Sequence, residues 1–405
     1  MFNKLAAFAR SGQINFALYL PLLLNTLAVQ AVISITRVTT SYRAVELGLP
    51  VLWIGIISAA FAILPLGMAV WVGRFIDRGH DALAAWIGAS LLVVACAGFV
   101  AWPSAAGLFV STAVLGVGQL FMIAGQQMVC MRCVHPSRLE AAFGNYMVAN
   151  ATGQALGPFL VGLMGGGATL PPTAPLFLVA FAAAMVALTF ALALRPSRAE
   201  REAADAAAPI AITELLRTPG LHAVLMLSVI SVTSGDLIVI YLPLLGTERQ
   251  IGVEAIGLLL TVRAIASIVA RLLYSRMVAL TGRQALMISS TLAATLAFVA
   301  LALPAPLVVL GLASIVIGFA LGLTTTLTLT GTLTLVPTGA RGTANSLRLV
   351  GNRIGQLVLP IGAGAIAAVT GIGGIFALIA VGLAASAVAV HISRPGQAPP
   401  PKASL

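Results

Sequence analysis

Residues 150–162 have the sequence Asn-Ala-Thr-Gly-Gln-Ala-Leu-Gly-Pro-Phe-Leu-Val-Gly, and they lie within an apolar segment. A related stretch occurs in the second half of the chain, at an offset of 202 residues (355 minus 153). The residues that match at this offset are Asn150 with Asn352, Gly153 with Gly355, Gln154 with Gln356, Pro158 with Pro360, Gly162 with Gly364, Gly55 with Gly257, Arg74 with Arg276, and Gly116 with Gly318. We infer that the chain consists of two fused copies of one unit.

The composition excludes an ordinary soluble domain. Apolar residues make up 60% of the chain and charged residues only 8%, whereas a soluble domain has about 25% charged residues. Continuously apolar runs of about 20 residues recur, and each can cross a hydrocarbon core of about 30 Å as a helix. We predict an all-α polytopic membrane protein with two pseudo-symmetric six-helix bundles. Its twelve predicted spans are 14–37, 51–72, 83–102, 107–131, 142–164, 175–194, 221–245, 254–275, 285–303, 308–335, 343–369 and 375–392.

The net charge of +11 is explained by membrane topology. Most lysines and arginines fall on one side of the predicted spans, and only Arg43 and Arg249 fall on the other. Because basic residues stay cytoplasmic, the protein is predicted in the cell (inner) membrane with both termini in the cytoplasm, and no nucleic acid partner is needed. The predicted organisation is a first bundle at 1–194, a cytoplasmic linker at 195–218, a second bundle at 219–394 and a disordered tail at 395–405. An outer loop that contains Arg43 and Glu46 is expected after the first span.

The loop between spans 2 and 3 contains Gly73, Asp77 and Arg78, followed by His80 and Asp81. With this loop and its two six-span repeats, the chain resembles the major facilitator superfamily over nearly its whole length. The family pattern in the loop is G-x-x-x-D-R-x-G-R-R, with a glycine and a base where this chain has His80 and Asp81. The counterpart loop lies between spans 8 and 9. It keeps Gly282 and Arg283 but has Ala279 at the aspartate position. The resemblance implies a cytoplasmic latch; the alternative is a charged turn that only fixes orientation. The predicted latch residues are Gly73, Asp77 and Arg78, with Arg132 and Arg138 as partners for Asp77.

The second motif is the opening stretch itself, which resembles the G-x-x-x-G-P-x-x-G-G pattern of the antiporter branch of the family. Gly153, Gly157, Pro158 and Gly162 fit this pattern, with the final glycine displaced by one position. The resemblance implies export of a drug or metabolite by proton antiport. The alternative is close helix packing of the kind that small residues allow in any membrane protein.

Ionisable residues inside a membrane span are functional candidates, because burying a charge there is costly. Glu254 lies at the outer end of span 8, and Asp236 in span 7 is the single acidic residue further inside a predicted span, so Asp236 is the candidate proton-binding group. Subtracting the repeat offset aligns Asp236 with Ser34, three residues from Arg37 in span 1. We therefore predict an Arg37–Asp236 pair that acts as a gate on the outer side of a central cavity; a static pair between two helices is the alternative.

The other basic residues inside spans indicate the substrate. Arg263 in span 8 and Arg353 in span 11 lie near the predicted midplane, and a guanidinium suits a carboxylate or a phosphate. Arg271 and Arg348 lie closer to the cytoplasm, where they can also reach lipid headgroups. Together with Arg263 and Arg353, the predicted substrate-binding residues are Asn150, Gln154, Asn352 and Gln356, although these amides can equally bond between helices.

The sequence therefore predicts a secondary transporter that works by alternating access. Proton-coupled efflux of an anionic or zwitterionic metabolite or drug is the first hypothesis, and uptake or exchange of an organic anion is the alternative. A lipid flippase or a membrane-embedded enzyme is a more distant alternative, because the spans contain no cluster of acids. Cys130 and Cys133 are interpreted as small apolar residues, so no metal or cofactor is expected. The expected partners are a small-molecule substrate, protons and the bilayer, with the protein acting as a monomer.

Overall fold

Twelve α-helices follow one another through the residues that the structure, a computed structural model, describes: 15–77, 80–134, 139–194, 218–336 and 341–393. The predicted all-helical class with six helices in each half is confirmed. The helices are α1 Phe16–Glu46, α2 Val51–Asp77, α3 Asp81–Ala101, α4 Ala105–Arg132, α5 Leu139–Gly165, α6 Thr173–Leu192, α7 Leu221–Glu248, α8 Val253–Thr281, α9 Arg283–Ala302, α10 Leu307–Leu335, α11 Arg341–Thr370 and α12 Ile372–Ser393.

Eleven helices in the described part of the chain are long and apolar enough to cross a membrane. The exception is α5, whose sequence includes the polar residues Asn145, Asn150 and Gln154. The predicted tail 395–405 and all of the predicted linker except Thr218 lie outside the described residues.

The expectation of an outer loop with Arg43 and Glu46 is wrong, because α1 continues as a helix to Glu46. The Nη1 atom of Arg43 lies 2.9 Å from the Oε2 atom of Glu46, an ion pair one helical turn apart. Thr173, at the start of α6, accepts a hydrogen bond from Arg43 and donates one to Glu46. These bonds pair the charged side chains of Arg43 and Glu46 in the last turn of α1. The helix can therefore continue past the residue at which the sequence stops being apolar.

The contacts divide the chain into two compact units. The first unit contains Met1–Glu202 and Ile240–Ala264, and the second contains Ala203–Val239 and Ile265–Leu405. The first unit thus includes the end of α7 and the start of α8 in addition to α1–α6. The predicted boundaries at residues 194, 218 and 394 remain predictions.

Glycines bring α5 close to α1 in the first unit. A methyl group on Gly153 would lie 2.7 Å from Cβ of Gln30, and one on Gly157 would lie 2.8 Å from the backbone nitrogen of Ile35. Real Cβ atoms do not approach other atoms this closely, so only glycine allows this helix contact. The nearest neighbours of Gly153 also include Leu27 and Ala31 on α1.

The second unit repeats this contact between α11 and α7. A methyl group on Gly355 would lie 2.6 Å from Cγ1 of Val229 and 2.7 Å from Oγ1 of Thr233. Adding 202 to Leu27, Ala31 and Gly153 gives Val229, Thr233 and Gly355, so equivalent residues make equivalent contacts in the two units. The internal repeat inferred from the sequence therefore extends to which residues lie against the motif glycine in each unit.

Threonine hydroxyls along α10 bond within their own helix. Thr324, Thr328, Thr330 and Thr332 each donate to a backbone carbonyl three or four residues earlier. This back-bonding satisfies the hydroxyl in an apolar environment. Thr324 also lies 3.0 Å from the hydroxyl of Ser290 on α9. These hydroxyls therefore help to pack the second unit.

A buried chain of amides crosses the first unit. Asn25 donates to the carbonyl of Ala187 at 2.7 Å, Gln126 donates to the Asn25 side chain at 2.7 Å, and the Tyr146 hydroxyl donates to Gln126 at 3.2 Å. Asn25 and Gln126 are fully buried, and Tyr146 is only 1% exposed. The network therefore ties α1, α4, α5 and α6 together without any charge.

We expect Gln126→Leu to destabilise the protein by about 2 kcal/mol, because it leaves the Asn25 oxygen and the Tyr146 hydroxyl buried without their partner. The measurement is thermal unfolding of the purified protein in detergent. Gln127→Leu is the matched control: it makes the same change at the next position of α4, where the side chain makes no hydrogen bond to another described residue. Equal melting temperatures for the two variants would contradict the prediction.

Candidate functional site

The site forms where α7 and α11 touch in the second unit. Gly355 provides the close approach, and Gly351 lies one turn earlier against Val229. The next residue after Gly355 is Gln356, which consequently reaches across to α7. The spacing of Asn345, Arg348, Asn352 and Gln356 places these polar residues on one side of α11.

A guanidinium, an amide and a carboxylate form a continuous hydrogen-bonded chain across this contact. The Nη1 atom of Arg353 donates to Oε1 of Gln356 at 3.1 Å, and Nε2 of Gln356 donates to Oδ2 of Asp236 at 2.6 Å. A guanidinium only donates and an ionised carboxylate only accepts, so the two ends fix which way the amide points. All three side chains are partly exposed. Asp236 and Arg353 have further interactions besides these.

A second polar network lies two helical turns away on the same two helices. Arg348 donates to Oδ1 of Asn345 at 3.1 Å and to the hydroxyl of Ser228 at 3.5 Å. The Ser228 hydroxyl in turn donates to Oδ1 of Asn352 at 3.1 Å. Arg348 thus binds groups inside the second unit, so the lipid-headgroup alternative does not describe its contacts here. Ser228 and Asn345 were not predicted from the sequence, although the helical spacing of Asn345 with Arg348 and Asn352 was a usable signal.

The equivalent residues of the first unit bond differently. Gln154 donates to Asn150 of its own helix at 2.8 Å, and Ser34 donates to the backbone oxygen of Gln154 at 2.9 Å. Ser34 occupies the position that Asp236 occupies in the second unit. With a hydroxyl in place of the carboxylate, the α1–α5 contact carries no charge at this point.

Arg37 lies one turn beyond Ser34, next to α2. Its guanidinium carbon is 4.9 Å from the ring centre of Phe61, which is a cation–π distance. Arg37, Ser58 and Thr112 line a small cavity with room for about one water molecule. The Thr112 hydroxyl is buried and makes no hydrogen bond in the described part of the chain, so this cavity suits a water molecule.

The motif glycines of α5 have two separate contacts. Gly153 and Gly157 face α1, whereas Gly162 faces the start of α8, where a methyl group on Gly257 would lie 2.6 Å from Cα of Gly162. Val253 and Glu254 donate their backbone N–H groups to the carbonyls of Ala168 and Gly166 at 2.7 and 2.8 Å. These bonds satisfy two of the N–H groups that the first turn of a helix leaves free. Pro158 lies inside α5, between the two contacts.

Only part of the predicted latch lies within the described residues. Gly73 and the backbone of Asp77 belong to α2, and the backbone of Arg132 ends α4, but the side chains of Asp77 and Arg132 and all of Arg78 and Arg138 lie outside the described residues. In the counterpart loop, Arg283 donates to the Thr330 carbonyl at 3.3 Å and to the Thr334 hydroxyl at 2.5 Å. A cation there complements the carbonyls at the end of α10.

The predicted substrate-binding residues divide between the two units. Asn150, Gln154 and Arg263 belong to the first unit, and Asn352, Arg353 and Gln356 belong to the second. The Arg37–Asp236 pair remains a prediction, because its two members also belong to different units. Within the second unit, the structure joins Arg353, Gln356 and Asp236.

Among the described residues, no group of three or more histidine, cysteine, aspartate or glutamate side chains is placed to hold a metal ion. Cys130 and Cys133 are buried free thiols.

Repeated helical units with amides and opposite charges inside the helices define a multi-pass membrane protein of the kind that carries small molecules across a bilayer.

The sequence identifies the family. The model of the Major Facilitator Superfamily matches residues 22–250 and again 224–405. The chain therefore belongs to the major facilitator superfamily, and it is a multi-pass secondary transporter that works by alternating access. No curated protein matches it significantly in sequence.

Solved structures agree on the fold. The nucleoside transporter NupG is 16% identical with a TM-score of 0.72, and the match covers 93% of this chain and 99% of NupG. The D-xylose-proton symporter is 13% identical with a TM-score of 0.76, over 93% and 97% of the two chains. A bacterial homolog of the human lysosomal transporter Spinster is 16% identical with a TM-score of 0.68, over 93% and 94%. These identities are low, so the likeness establishes the fold and leaves the substrate open.

Proposed function

We propose that the chain is a proton-coupled exporter of an anionic or zwitterionic metabolite or drug. The observation that carries the proposal is the Arg353–Gln356–Asp236 chain, which places a cation and an acid at the two ends of one amide. Asp236 supplies a carboxylate that can take up a proton, and Arg353 supplies a guanidinium that can bind a carboxylate or phosphate. Export is supported by the resemblance of Gly153, Gly157, Pro158 and Gly162 to the antiporter pattern.

The remaining parts of the proposal follow the sequence. The protein acts as a monomer in the cell (inner) membrane with both termini in the cytoplasm, as the distribution of basic residues indicates. The predicted Arg37–Asp236 pair is the outer gate, and Gly73, Asp77 and Arg78 belong to the cytoplasmic latch. Asn150, Gln154, Asn352 and Arg263 contribute further contacts to the substrate.

Uptake or exchange of an organic anion is the second candidate. It is favoured by the excess of guanidinium groups over carboxylates on α7 and α11, where Arg348 and Arg353 both make hydrogen bonds while Asp236 is the single acid in the described interior of these helices. The relatives also include a proton symporter for a sugar. In this alternative, an anion and a proton are carried in the same direction.

The two candidates predict opposite proton movements. We expect inside-out vesicles that contain the full chain and an acidic lumen to become more alkaline inside when pooled amino acids, organic acids and phosphates are added. The reason is that an antiporter exchanges internal protons for external substrate, and a pH-sensitive dye in the lumen follows this change. Acidification of the lumen would support uptake instead, and unchanged pH with every pool would contradict proton coupling. Vesicles without the protein are the control.

A further inference from the structure

The amide of Gln356 lies between the guanidinium of Arg353 and the carboxylate of Asp236. We propose that the transported molecule is an α-zwitterion, with its carboxylate and its ammonium group on the same carbon, and that these groups displace the Gln356 amide between Arg353 and Asp236. The proposal rests on the proposed function and names its substrate class. The carboxylate then binds Arg353 and the ammonium group binds Asp236.

The geometry of the amide sets the separation of the two charges. Its oxygen lies 3.1 Å from Arg353 and its nitrogen 2.6 Å from Asp236, and both atoms are bonded to one carbon. The carboxylate and ammonium group of an α-zwitterion are only one bond further apart. A molecule with several methylene groups between its charges would have to push α11 away from α7, and these helices are already in contact at Gly355.

The exchange of amide for substrate is energetically reasonable. Hydrogen bonds in which both partners are charged are stronger than those to a neutral amide. Arg353, Gln356 and Asp236 are all partly exposed, so a small molecule can reach them. Gln356 is a flexible side chain on the surface of α11 and can turn aside. A lone anion would leave the Asp236 carboxylate beside a second negative charge, and a lone cation would leave Arg353 beside a second positive charge.

Within the second unit, the charged groups around Asp236 are few. On α11 they are Arg353, through Gln356, and Arg348, which is two turns away and bonded to Ser228. Helix α10 has no ionisable residue between Leu307 and Leu335. On α8, α9 and α12, which also pack with α7, the charged or titratable residues of this unit are Arg271, Tyr274, Arg276, Arg283 and His391. Arg37 of the first unit is the partner that the sequence predicts for the same carboxylate.

An α-zwitterion at this site would compete with protons, so substrate and protons would move in opposite directions. An ammonium group and a proton compete for the Asp236 carboxylate, so substrate binding and protonation exclude each other, as antiport requires. The affinity for an α-zwitterion should therefore fall as the pH is lowered. A lone anion on Arg353 would show the opposite dependence, because protonation of Asp236 removes the neighbouring negative charge.

The first experiment measures ligand binding by thermal shift of the purified full-length protein. The probes are the common α-amino acids, and each hit is compared with its deaminated acid, its decarboxylated amine and 6-aminohexanoate. We expect only the α-amino acid to raise the melting temperature. Its affinity should weaken as the solution is acidified, because protons then compete with the ammonium group for the Asp236 carboxylate.

The Gln356→Leu variant tests whether the substrate displaces the Gln356 amide or whether this amide only supports the structure. Removing the competing amide should tighten α-amino acid binding about tenfold, since the substrate no longer has to replace its hydrogen bonds. A structural role would instead weaken binding or leave it unchanged. Gln356→Asn, whose shorter amide cannot bridge both partners, tests the same point if the leucine variant does not fold. Gln284→Leu, the same change at the start of α9, should leave the affinity unchanged.

The remaining outcomes separate this inference from the proposed function. Binding of the deaminated acid alone, tighter at low pH, would overturn the zwitterion and leave proton-coupled transport of an anion intact. Binding of amines alone would overturn both. No shift with any probe would overturn the α-zwitterion, while proton movement with the organic acid or phosphate pools would still support the proposed function.

Discussion

Vesicles with the Asp236→Asn variant should show no substrate-dependent proton movement above that of vesicles without the protein. Asparagine has the shape of aspartate, and its oxygen can still accept the hydrogen bond from Nε2 of Gln356, so the α7–α11 contact is kept. It cannot take up or release a proton, however, and Asp236 is the single acid in the described interior of α7 and α11. The measurement is the luminal pH change described above, at matched protein content.

The control for this variant is Glu254→Gln. Glu254 is an exposed acid at the start of α8, and its replacement removes the same charge without touching the polar residues of the second unit. We expect this variant to move protons as the wild type does. Full proton movement in Asp236→Asn, or its equal loss in both variants, would show that Asp236 is not the proton-binding group.

Gly157→Ala should destabilise the protein by about 2 kcal/mol, the typical effect of adding a methyl group to a filled helix contact. The new carbon would lie 2.8 Å from the backbone nitrogen of Ile35 and 2.9 Å from the backbone carbon of Ser34. Backbone atoms cannot turn aside, so α5 must move away from α1. Thermal unfolding in detergent measures the effect.

Gly144→Ala on the same helix is the matched control. Among the described residues beyond its own helical turn, no atom lies within 4 Å of a methyl group built there, and alanine favours a helix over glycine by about 1 kcal/mol. This variant should be as stable as the wild type or slightly more stable. Similar losses in the two variants would show that the motif glycines act through the flexibility of α5 and not through its contact with α1.

Sequence alone predicted the helices and the repeat well, because both depend on local properties. Hydropathy locates a span from its own residues, and the offset of 202 compares identities without any structure. The end of α1 was missed for the same reason. Its last turn is held by Thr173, which is 127 residues away from Glu46, and no local pattern shows that bond.

The hydrogen-bond partners of the polar residues were harder to predict, because the partner of an amide depends on which helix lies beside it. Asn150, Gln154, Asn352 and Gln356 looked equivalent in the sequence. In the structure Gln154 bonds within α5, whereas Gln356 bonds to Asp236 on α7. The difference follows from Ser34 and Asp236, the residues at the equivalent positions of α1 and α7. The repeat offset showed that Ser34 and Asp236 are equivalent positions. Only the contact between the helices shows which side chains lie opposite them.

The most direct test of the account is whether substrate binding releases a proton from Asp236. The purified protein, in weakly buffered detergent solution acidic enough to protonate aspartate carboxyls, is mixed with the α-amino acid that gives the largest thermal shift, and a pH indicator follows the change. We expect proton release from the wild type, and none from Asp236→Asn at saturating ligand. Proton uptake on binding, or equal release from both proteins, would contradict exchange of substrate for a proton at this carboxylate.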